Sequence, residues 1–192
     1  MGGINESIIQ KQLGNLLALE EHLYQAFRLQ ALGNHADPEI SRHFKACAAL
    51  ARNHYRALSK RLEQLEKVSL NQPVKEVAAA TLGMAAGLLD KMRSEEASKD
   101  LRDDYAALNL ELISCLRLHT MALALGDPST AGLVAEQART TARFILELQE
   151  LVPELVVRDL QRNHSVQPLR SALEETRQLL HQLRQAAIIA VE

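Results

Sequence analysis

ALGNHADP at residues 31–38 and ALGDP at residues 124–128 carry the same pair of signals. In each, Ala-Leu closes an apolar-periodic stretch at a glycine, a residue suited to ending a helix because it takes the left-handed turn without a Cβ clash. Asp-Pro then opens the next stretch. The carboxylate can accept from the free N–H groups of a first helical turn, and proline loses nothing by standing at the first helical position. A stop followed by a start predicts a helical hairpin at each place, with a middle segment beginning near Pro73 between the two hairpins.

The flanking stretches have the matching periodicity. Leu13, Leu16, Leu17, Leu23, Tyr24, Phe27 and Ala31 fall on one stripe of a helix expected over residues 5–32, with Glu20 in its middle. Ile40, Phe44, Cys47, Leu50, Ala51, Leu58, Leu62 and Leu65 do the same over 38–67, and His54 lies in that stripe. Over 100–125 the inward set reads Tyr105, Leu108, Leu112, Cys115, Leu118 and Ala122, with Glu111 one step off its centre. Leu133, Val134, Ala138, Thr141, Phe144, Ile145 and Leu148 continue the pattern up to Pro153, where a kink or a stop is expected. The small-residue run VAAATLGMAAGLL within 74–96 reads as a short packing helix. It lacks the Lys-Ser/Thr ending of a phosphate loop. Beyond Pro168, Leu169, Leu173, Leu180, Leu183 and Ala187 mark a last amphipathic helix that covers the bundle or meets a partner.

Composition points to the same class. In 192 residues, 47% are hydrophobic but only 3% aromatic, and eight Gly and five Pro are too few for the turns of an all-β fold. A net charge of -2 with interspersed signs excludes nucleic acid as a partner. MGGINESIIQ is no secretory leader, and no apolar run approaches the roughly 20 residues of a membrane span, so a cytoplasmic protein is expected. Cys47 and Cys115 sit in apolar stripes and read as reduced structural thiols.

Residues 13–150 resemble the bacterial YciE/YciF-type stress proteins, a branch of the ferritin-like superfamily. The resemblance rests on LLALEEHLYQAF, GLLDK, RDDYAALNLELISC and the ALGD hinge, in that order and spacing. It implies an all-α, ferritin-like antiparallel up-and-down four-helix bundle over 5–162, with a short extra helix in the middle and an additional C-terminal helix over 166–191. Ferritin-like di-metal sites take a Glu from each of two helices and Glu-x-x-His from each of the other two.

Against that pattern Glu20 stands where the first glutamate is expected, and Phe27 where a tyrosine is common. The second helix reads Ala51-Arg52-Asn53-His54, keeping only the histidine. In the next, Leu108 occupies the expected ligand position, with Glu111 one turn later and Cys115 in place of a tyrosine. The last reads Thr141-Ala142-Arg143-Phe144, or Glu136-Gln137-Ala138-Arg139 in an offset register. The resemblance therefore implies a degenerate metal site, its candidate ligands being Glu20, His54, Glu111 and Glu136. Read as ordinary bundle residues, Glu20 is a buried carboxylate paired with Tyr24, His54 or another core group, and Glu111 and Glu136 are solvated or in interhelical salt bridges. His22, His35, His43, His119, His164 and His181 show no metal-ligand spacing.

Two functions are expected from these residues. One is a non-catalytic, stress-associated bundle with no cofactor, a homodimer acting through its surface and binding a protein partner through the C-terminal helix. The alternative is an iron- or manganese-binding oxidase or metal-handling protein working with the reduced ligand set.

Overall fold

The computed structural model describes residues 2–32, 38–68, 97–164 and 170–189, all helical apart from the turn at 125–127. The helices are α1 (Gly2–Leu32), α2 (Pro38–Val68), α3 (Ala97–Ala124), α4 (Pro128–His164) and α5 (Arg170–Ile189). The expected packing helix within 74–96 and the first hinge at 33–37 lie outside the described residues. None of the described helices is long and apolar enough to cross a membrane.

The i, i+3, i+4 stripes form one core. Leu13, Leu16, Leu23 and Phe27 of α1 meet Phe44, Cys47 and Leu58 of α2, Leu101, Leu108 and Leu118 of α3, and Val134, Ile145 and Leu148 of α4. α1 packs on α2 and α3, whereas α4 packs on α3, α2 and α5.

Polar contacts fix the helix directions. Gln30, near the end of α1, donates to Asp104 at the start of α3 (2.8 Å). Arg158, near the end of α4, pairs with Glu39 at the start of α2 (3.5 Å). Arg61, near the end of α2, reaches Asp127 in the α3–α4 turn (2.7 Å). Each hairpin is therefore antiparallel, while α2 and α3 run the same way, so that the end of α2 and the beginning of α3 lie at opposite ends of the bundle. This single-crossover order distinguishes ferritin-like bundles from strictly sequential ones.

One sequence expectation is sharpened and one is corrected. Of the kink or stop expected at Pro153, the stop does not occur, and α4 continues to His164. A proline in a helix interior costs about 3 kcal/mol. Here Leu148 and Leu155 are buried on either side of it, and that packing offsets the bond the Gln149 carbonyl loses where proline has no N–H. Tyr105, expected inward, is 37% exposed. Asp104 is buried in its place because Gln30 supplies the donor that makes a buried carboxyl tolerable.

Candidate metal centre

Glu20, His54 and Glu111 interrupt the leucine stripes of three different helices at one level of the bundle. Glu20 follows Leu13 and Leu16 and precedes Leu23 and Phe27; His54 lies between Ala51 and Leu58; Glu111 lies between Leu108 and Cys115. The stripes that bury those leucines bury these groups as well, and all three are withdrawn from solvent. Such polar groups are tolerated in a core only when they meet one another.

They do meet. His54 Nδ1 donates to Glu111 Oε1 at 2.8 Å and lies 3.3 Å from Glu20 Oε1. One ligand atom from each of the three lies within 4.8 Å of the other two. From α4, Thr141 Oγ1 donates to Glu111 Oε1 at 2.7 Å, and Gln137 Nε2 donates to the His54 carbonyl at 3.2 Å. His54 Nε2 faces Thr140 Oγ1 at 3.4 Å; because that hydroxyl donates to the Glu136 carbonyl at 2.6 Å, it is left to accept from the ring. Both ring nitrogens then act as donors, as in an imidazolium.

Burial alone would lower the His54 pKa. The hydrogen bond to Glu111 and the close approach of Glu20, together with the charges of both carboxylates, outweigh it and lift the pKa to about 9. Glu20 is held well above the ordinary carboxylate range by burial and then by the charge of Glu111, against the lowering effect of His54. Two carboxylates around one imidazole thus compete for a proton in a low-dielectric layer. Both oxygens of Glu20 and Oε2 of Glu111 are buried without a well-formed hydrogen bond, the His54 N–H 3.3 Å from Glu20 Oε1 being committed to Glu111 Oε1.

Of the sequence candidates, the structure brings Glu20, His54 and Glu111 together and leaves Glu136 outside. Glu111 is fully buried at the centre of its stripe, so the solvated alternative does not hold for it. The Glu136 side chain is 66% exposed and pairs with Arg139 at 3.0 Å. One residue along a helix turns the side chain by about 100°, and that step gives the inward position to Gln137. Gln137 and Thr140 are the site residues that sequence reasoning missed, while Thr141 was placed inward but read only as a lost ligand. The available signal was their i, i+3, i+4 relation, which puts polar groups on the inward face of α4 opposite His54.

Cys47 and Cys115 are buried free thiols. Burial, then neighbouring carboxylates, raises both of their pKa values, so neither is poised as a thiolate. Cys47 Sγ lies 3.2 Å from His43 Nε2, and burial pushes His43 down to about 4.

Comparison with protein families finds no match to this sequence, and comparison with curated proteins finds none either. Solved structures do resemble it. A protein from Xanthomonas campestris pv. campestris superposes with a TM-score of 0.66 at 19% identity, over 83% of this chain and 98% of its own. Dps from Thermosynechococcus elongatus superposes with a TM-score of 0.54 at 15% identity, over 79% and 94%. At these identities the likeness shows the fold alone, and that fold is the all-α ferritin-like helical bundle.

Proposed function

We propose that the bundle is a metal-handling protein that holds one divalent ion, iron(II) or manganese(II), at Glu20, His54 and Glu111. The observation that carries this reading is the set of three buried carboxylate oxygens without a well-formed hydrogen bond beside a histidine. A buried acceptor left unpaired costs ~1–3 kcal/mol, and a cation in their midst removes that penalty. The oxygen-and-imidazole donor set suits these ions. Charge argues for one ion: two carboxylates balance one divalent cation, whereas a second would leave positive charge in the core. Where a dinuclear site needs further carboxylates, the chain has Ala51 and Thr141. An iron or manganese ion so held supplies a one-electron redox centre toward dioxygen or peroxide.

The competing reading is a vestigial site in a bundle that acts through its surface. The observation favouring it is the His54 Nδ1–H, which occupies the space between the carboxylates with a proton. A protein partner on α5, a cytoplasmic setting and a stress-associated role of the YciE/YciF type belong to that reading, whereas a homodimer fits either. Exposed Leu179 and Leu183 on α5 support the partner surface.

The test is elemental analysis of protein purified without chelator, followed by titration with ferrous iron in air. We expect binding that saturates at one ion per chain, no absorbance band of an oxo-bridged pair, and loss of the ion in Glu20→Ala. No retained metal and no change on titration would leave the vestigial site as the answer.

A further inference from the structure

The proposed ion has three protein ligands from three helices, yet α4 also presents a buried polar face to the same layer. Gln137 is 3% exposed. Its Nε2 donates to the His54 carbonyl, while its Oε1 is buried with no donor. Flipping the amide would not remove the problem: it would leave the NH2 group without a partner and set oxygen against oxygen at the His54 carbonyl. One turn on, Thr141 bonds Glu111 Oε1, so Gln137 stands on the face of α4 that meets the trio, one turn from the Glu111 contact. Four buried oxygens without a partner thus belong to residues that are members of the trio or, as Gln137 is through the His54 carbonyl, in direct contact with one.

Resting on the one-ion reading, we propose that Gln137 Oε1 is a fourth protein ligand, a neutral oxygen donor through which α4 takes part in holding the ion. A neutral amide adds a ligand without adding charge, so the site keeps the two negative charges that match one divalent cation. This role also explains why glutamine on α4 is buried while neighbouring Glu136 is turned to solvent.

The experiment is titration of the full chain with Co2+ alone and, separately, Mn2+ alone, in wild type, Gln137→Leu and Gln137→Glu, with folding checked by circular dichroism. Cobalt reports coordination number through its visible band, which intensifies when a ligand is lost. We expect Gln137→Leu to weaken binding by roughly 10–100-fold, the scale on which removing a supporting group loosens a metal site, and to intensify the cobalt band. Gln137→Glu, which keeps an oxygen at that position, should bind at least as tightly as wild type, with the wild-type band shape.

Wild-type affinity and spectrum in Gln137→Leu would overturn the inference while leaving the three-ligand site standing. So would a fall in Gln137→Glu equal to that in Gln137→Leu, because it would show that the Nε2 bond to the His54 carbonyl is what matters. Failure of wild type to bind either ion removes the one-ion reading itself.

Discussion

His54 and Glu20 respond to pH in the same direction, although one is a base and the other an acid. His54 has its pKa raised to about 9, so the stability it contributes is complete below its ordinary 6.5 and is lost as pH climbs through 9. Glu20 is raised well above 4.5, so the unfolded chain releases a proton that the fold retains, and folding weakens as pH rises past 4.5. His43 works the other way. Burial lowers it to about 4, and below 6.5 the unfolded chain takes up a proton that the fold refuses. That contribution amounts to ~3 kcal/mol lost as pH falls. In chelator, the urea midpoint should therefore fall between pH 6.5 and about 9, and His43→Leu should remove part of the loss seen on the acid side. An alkaline limb that stays flat would show that His54 is not pinned between the two carboxylates. Glu20→Gln should lessen the alkaline loss and also abolish metal binding, separating what the carboxylate costs the fold from what it gives the site.

Among the elements, the α3–α4 turn shows how a local signal becomes a tertiary one. Asp127 N bonds Ala122 O at 2.8 Å and Gly126 N bonds Leu123 O at 3.2 Å, the paired bonds that close a helix on a left-handed residue, and Gly126 has φ 77°. Asp127 then caps α4 through Thr130 N at 3.0 Å. Arg61 from α2 donates to Asp127 Oδ1 at 2.7 Å and to Thr130 Oγ1 at 2.9 Å, tying one hairpin to the other. Asp127→Ala should cost ~1–2 kcal/mol as a lost cap. A double-mutant cycle with Arg61→Ala should give a coupling above ~0.5 kcal/mol, read from denaturant midpoints; additive losses would mean that Arg61 adds nothing to the cap.

The ALGDP signal was legible because a cap and a stop are properties of adjacent residues. The stripes of α1 and α2 were legible because leucine spacing alone decides which face is buried. The rotation of α3 was not, since placing Asp104 inward and Tyr105 outward depends on Gln30, a partner 74 residues away. Glu111 stood among the candidate ligands but could equally be read as solvated or salt-bridged, for the same reason: the histidine it meets lies on another helix. Pro153 shows that core packing through Leu148 and Leu155 can override a local breaker.

At the scale of the whole molecule, the outer surface of the described residues is uneven, and α3 carries an exposed apolar row. Apart from buried Glu111, the stretch from Tyr105 to Ala124 contains one charged residue, Arg117. Ile113 is 61% exposed, Leu116 48% and Leu123 57%, in one row by their three- and seven-residue spacing. On α2, by contrast, the exposed positions are held by Arg52, Arg56, Lys60, Glu63 and Glu66. A monomer seldom leaves a contiguous apolar row to water. The 28 residues of α3 extend about 42 Å, long enough to carry the roughly 800 Å² that each partner gives a stable dimer. We therefore expect light scattering to show a homodimer joined through α3, and Ile113→Glu combined with Leu116→Glu to yield monomers. Metal affinity should survive that change, since both side chains point away from the Glu111 layer. A wild-type chain that is monomeric at every concentration would end the dimer reading and assign the α3 row to cover from within the chain or from another protein. A mutant that loses metal as it dissociates would show instead that the partner holds the four-helix layer in register.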